Sequence, residues 1–161
     1  MNKLEGFDAR LAEIDLECQD RQRDEMKTLE LAWALRNRLR RASAAAEVER
    51  DLDDNPFEYT PQEHTDIRRL VDKLERDANK AFTAYRVHLE KLSQAAHTRY
   101  LDAERQYNRV MADRSTLSSG ELFRAFSTLE RARLDYAKAS RALHEFIGMG
   151  EIALDGRWAI D

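Results

Sequence analysis

The sequence predicts an all-α protein: a long antiparallel helical hairpin of coiled-coil type, a shorter third helix that makes a three-helix bundle over one half, and an irregular C-terminal tail. Three observations carry that expectation. Both prolines of the 161-residue chain, Pro56 and Pro61, fall close together, and the five glycines stand at Gly6, Gly120, Gly148, Gly150 and Gly156. Residues 7–55 and 62–119 are therefore free of the two strongest helix breakers. Both runs are rich in Ala, Leu, Glu, Arg and Lys, which lose least on entering a helix.

Helix 1, expected over about residues 3–52, carries Leu4, Phe7, Leu11, Ile14 and Cys18 at alternating spacings of three and four, the seam of a coiled coil. The segment QDRQRDE interrupts it with Arg21 and Glu25, and Ala32, Leu35, Leu39, Ala42 and Ala46 then resume the same phase. Such an interruption reads as a solvated or register-setting layer. Cys18 reads as a small core residue rather than a reactive thiol.

The corner, residues 53–60, precedes a start signal. Thr60, Pro61 and Glu63 fit a capping box with proline at the first helical position, the Thr60 hydroxyl and the Glu63 carboxylate each taking an early backbone N–H. Helix 2, over about 61–115, follows with Ile67, Val71, Leu74, Ala78, Ala81, Tyr85, Leu89, Leu92, Ala96, Ala103, Tyr107 and Val110 along one face. The short connection makes helices 1 and 2 antiparallel, with Leu39 near Leu74 and Ala46 near Ile67.

Ser118 and Glu121 form a second capping box and open helix 3, expected over about 119–147. Leu122, Phe126, Leu129, Tyr136, Leu143 and Ile147 line its inward face, and Gly148 with Gly150 offers a stop. Antiparallel to helix 2, its partners should have residue numbers adding to about 234, which sets Ile147 near Val87. The tail, 148–161, supplies Ile152, Leu154, Trp158 and Ile160, either to cover apolar groups of the bundle or to engage another chain. The whole is expected to be one elongated helical domain, residues 1–161.

Composition bounds the function. Charged residues make up 36% of the chain, which suits solvated helices better than a thick core, and the net charge of −4 gives no general attraction to nucleic acid or anionic membrane. No apolar run reaches the roughly 20 residues a membrane span needs. The charged N-terminus MNKLEGFDARLAEID lacks the apolar segment of a secretory signal, and a single cysteine excludes an intrachain disulfide framework. A cytoplasmic setting follows as the expectation, with export by a route without a cleaved signal left open.

No catalytic, cofactor-binding or metal-binding residue stands out. No glutamate is followed three positions on by histidine, and His64, His88, His97 and His144 are scattered. There is no His-Glu-x-x-His, paired cysteine, phosphate loop or Gly-x-Ser-x-Gly. The expectation is a non-enzymatic coiled-coil interaction or assembly protein: an adaptor, stalk or structural component that binds basic or helical protein partners and is open to homo-oligomerisation.

Two segments are candidates for that contact. Residues 47–66 hold eight acidic side chains against one basic. Phe57 and Tyr59 lie among them beside Asp53, Asp54 and Glu58, a set able to seat a basic partner and offer aromatic anchors, or else a solvated corner whose rings pack back on the helices. In the tail, Trp158 and Ile160 are the corresponding anchors. The alternative is a nucleic-acid-associated protein that uses Arg36, Arg38, Arg40 and Arg41 on phosphates, although those spacings spread the arginines around a helix.

Overall fold

A computed structural model of the chain describes the backbone of residues 3–113 and 118–154 and the side chains of residues 9–113 and 118–149. Three α-helices follow in order, α1 (Lys3–Asp54), α2 (Pro61–Ala112) and α3 (Ser119–Leu154), with a single 3-10 turn, Pro56–Glu58, between the first two. No strand occurs among the described residues. The fold is all-α: a helical hairpin of α1 and α2, with α3 bundled on α2.

Both expected capping boxes form. The Thr60 amide donates to Glu63 Oε2 at 2.7 Å and the Glu63 amide to Thr60 Oγ1 at 3.3 Å. The Ser118 amide donates to Glu121 Oε2 at 3.0 Å and the Glu121 amide to Ser118 Oγ at 3.3 Å. Each box satisfies donors that the first turn of a helix otherwise leaves without an acceptor.

The chain divides into two compact units, Met1–Tyr85 and Arg86–Asp161. In the first, Leu35, Ala42, Ala45 and Leu52 of α1 are buried, as are Val71 and Ala78 of α2. Alanines at this seam let helix axes approach to about 8 Å, near the short end of helix packing. Beside it, Arg68 of α2 reaches both Glu49 at 3.5 Å and Asp53 at 2.9 Å on α1. In the second unit the buried side chains are His88, Leu89, Ala96 and Ala103 of α2 with Phe146 of α3. Tyr107 meets Phe126 at 6.3 Å between ring centres, and His97 meets Tyr136 at 4.8 Å. Both pairs fall within one residue of the expected α2–α3 register.

All twelve residues expected along the inward face of α2 are buried or half-buried. Three other expectations are corrected. Helix 3 does not stop at Ile147: α3 continues to Leu154, so the tail is helical in its first part. Glycine costs a helix only about 1 kcal/mol against alanine and stops it when an alternative backbone conformation is favoured or proline follows. The chain holds no proline beyond Pro61. Nothing lies within 4 Å of where a Gly148 Cβ would sit, so Gly148→Ala is expected to stabilise the protein by about 0.5–1 kcal/mol, read as a raised Tm.

The inward face of α3 is also rotated slightly from expectation. Phe146 is buried, whereas Ile147 and Phe126 are exposed. Finally, every described residue from Ala9 to Lys27 is exposed, including Leu11, Ile14 and Cys18 of the N-terminal seam of α1. The apolar spacing there is as expected, but spacing alone does not supply a covering helix. In the second unit the α2 stripe is met by α3.

Candidate interaction tip

The connection between α1 and α2 is built by short-range bonds. As α1 ends, the Asn55 amide donates to the Asp51 carbonyl at 2.8 Å, and the Asn55 side-chain amide donates to Asp51 Oδ1 at 3.0 Å. Pro56 then fixes the backbone for a tight turn, closed by the Glu58 amide on the Asn55 carbonyl at 3.1 Å. The Tyr59 hydroxyl donates to the other carboxylate oxygen of Asp51. His64, one turn into α2, lies 3.0 Å from the Pro56 carbonyl through Nε2, which must carry the proton for that bond, and packs edge-on against Tyr59 at 6.2 Å.

These bonds shift the groups that make them. The Tyr59 hydroxyl, and after it the Asn55 amide, hold the Asp51 carboxyl below its ordinary 3.8, and the same bond to Asp51 raises Tyr59 above 10.0. The Thr60 backbone N–H, followed by the Thr60 hydroxyl, holds Glu63 below 4.5. For a depressed carboxyl, the stability contribution is complete above its unfolded value and is lost as pH falls through the folded one. The tip is therefore expected to loosen in acid, below about pH 4.5 for Glu63 and lower for Asp51. Carboxyl NMR titration checks this: midpoints at 3.8 and 4.5 would contradict the bonding, and Tyr59→Phe should move Asp51 upward.

The two aromatics expected at the tip have different fates. Tyr59 is half-buried and bonded in place, while Phe57, on the 3-10 turn, has a relative exposure of 101%. Asp53 is engaged by Arg68 at 2.9 Å, and Asp54 and Glu58 are exposed beside Phe57 in sequence. Asp53 and Asp54 thus close α1, and Phe57, Glu58 and Tyr59 follow in the connection. Trp158 and Ile160, the tail candidates, lie outside the described residues. Arg36, Arg38, Arg40 and Arg41 are all exposed on α1, and at about 100° per residue they point to several sides of it.

Sequence reasoning did not single out Asp51 or His64, which hold the turn, because their roles depend on partners eight residues away across it. The legible signal was the DLDDNP segment itself, where a carboxylate precedes Asn-Pro at a helix end. Nor was buried His88 anticipated; its place in the α2 stripe next to Leu89 was the available sign. Among the described residues no group of His, Cys, Asp or Glu is arranged to hold a metal ion, and no helix is long and apolar enough to cross a membrane.

By architecture this is a helical hairpin protein with a third helix and an acidic, aromatic-bearing tip. The chain matches no protein-family model, no curated protein sequence and no solved structure.

Proposed function

We propose that this is a non-enzymatic cytoplasmic interaction or assembly component, an adaptor or structural part of a larger complex, which captures a basic protein surface with the α1–α2 tip. The observation that carries the reading is Phe57, an aromatic ring fully open to solvent on a turn whose neighbours are bonded down. An aromatic held on an ordered turn costs little conformational entropy to engage and is a favoured interface anchor. Asp53, Asp54 and Glu58 beside it would steer a positively charged partner and speed its encounter.

Affinity capture from cell extract tests this, comparing the wild-type protein with Phe57→Ala and with Asp54→Asn/Glu58→Gln. Phe57→Ala should leave Tm within about 1 °C, since surface changes away from packed groups are nearly neutral, yet lose the captured partner. The charge variant should keep the partner but bind it more slowly and with weaker salt dependence. Equal capture by the Phe57→Ala protein would refute the assignment. Retention of duplex DNA or RNA that falls steeply with salt and disappears on replacing Arg36, Arg38, Arg40 and Arg41 would put nucleic-acid binding in its place.

A further inference from the structure

We infer that Tyr59 is a positioning residue of the tip rather than one that touches the partner: its side chain bridges the end of α1 and the first turns of α2, and this bridge keeps the Phe57 ring in solvent. The use of that ring in capture rests on the function proposed above, whereas the bridge itself does not.

The connection cannot hold its shape by packing. None of Pro56, Phe57 and Glu58 is buried, and Asn55, which precedes them, makes no capping bond with its side chain. Residues 55–60 are all exposed except half-buried Tyr59. An apolar ring on such a segment gains by lying against neighbouring apolar groups, because that removes both from water. Phe57 stands instead at 101% exposure. Something other than burial therefore restrains the segment that carries it.

The restraint comes from both sides of the turn. From α1, Asp51 offers one carboxylate oxygen to the Asn55 side-chain amide at 3.0 Å and the other to the Tyr59 hydroxyl. From α2, His64 Nε2 donates to the Pro56 carbonyl at 3.0 Å, and the imidazole stands edge-on to the Tyr59 ring at 6.2 Å. Tyr59 is thus tied to both helices at once, by its hydroxyl to Asp51 and by its ring to His64. With Asn55 and Pro56 held before Phe57 and Tyr59 held after it, the intervening backbone has little freedom to swing the phenylalanine ring onto the hairpin. The Glu58 amide, bonded to the Asn55 carbonyl at 3.1 Å, closes the same span and reports on it.

The bridge depends on the residue types present. Phenylalanine at position 59 would keep the ring beside His64 but lose the donor that reaches Asp51. Alanine at position 51 would remove the acceptor for both Asn55 and Tyr59. Asparagine there would retain an acceptor oxygen for the tyrosine hydroxyl, and its own amide could donate to the Asn55 side-chain oxygen, so the bridge survives that exchange.

Two measurements on the full chain test this: hydrogen exchange at the Glu58 amide, and relaxation of 4-fluorophenylalanine placed at position 57 by a soluble paramagnetic chelate. Tyr59→Phe and Asp51→Ala should keep the helicity of the wild type. Each should exchange the Glu58 amide about fivefold faster, as the loss of one hydrogen bond implies. Both should also weaken the effect of the chelate on the ring, which then settles on the hairpin. Asp51→Asn should stay within about twofold of wild type, its bonds being replaced. A tyrosine that only fills space predicts no change in Tyr59→Phe, because the ring is kept. Unchanged exchange in Tyr59→Phe, an undiminished chelate effect in both variants, or an Asp51→Asn protein as altered as Asp51→Ala would each overturn the inference. Failure of the proposed function reads differently: Phe57→Ala would keep its captured partner, and the exchange results would stand as they are.

Discussion

Leu52→Ala should destabilise the protein by about 3 kcal/mol and lower Tm by roughly 6–12 °C. Leu52 is 0% exposed, the most completely buried large side chain among the described residues, although it sits two positions before the end of α1. Removing three carbon-bearing groups there forfeits their transfer out of water and leaves a cavity, unless the surroundings collapse into it. Collapse is opposed by the adjoining connection, which the bonds from Asn55 to Asp51, His64 to Pro56 and Thr60 to Glu63 hold in place. Leu70→Ala is the matched control: that leucine is 52% exposed and its truncation should cost less than about 0.5–1 kcal/mol. Hydrogen exchange should also quicken at the Asn55 and Glu58 amides in the Leu52 variant. A Leu52→Ala protein that melts with wild type would mean the α1 terminus is not packed as described.

Phe146→Ala should have an effect of similar or greater size in the second unit, about 3–5 kcal/mol. Its ring is 5% exposed on α3, whereas the adjacent Ile147 is 40% exposed. The spacing of apolar residues alone assigns Ile147 to the inward face, so the two substitutions discriminate between rotations of the helix. Ile147→Ala should cost no more than about 1 kcal/mol if Phe146 is the buried member. Urea denaturation of both variants decides the matter, and an Ile147 variant as unstable as the Phe146 variant would reverse the assignment.

Features set by neighbours in sequence were legible without the structure. The two capping boxes were readable because Ser118 and Glu121, like Thr60 and Glu63, need only three residues of helix to find one another. The inward face of α2 was readable as well, because apolar residues at spacings of three and four fall on one side of a helix. The α2–α3 register followed from the short connection between two helices, and the Tyr107–Phe126 contact bears it out. Gly148 misled because glycine permits a helix to end without requiring it.

The sequence by itself determined that the chain is helical, where its helices begin, and that it turns between Asp54 and Pro61. Only the tertiary structure decided which apolar surfaces are covered, since burial is a competition among helices for a limited number of neighbours. Leu11, Ile14 and Cys18 of α1 stay open despite a spacing as regular as any in the chain. The same holds at the tip. Phe57 and Tyr59 are equivalent in composition and two residues apart, but the tyrosine hydroxyl finds Asp51 across the turn and the phenylalanine ring, having no polar group with which to compete, points into solvent.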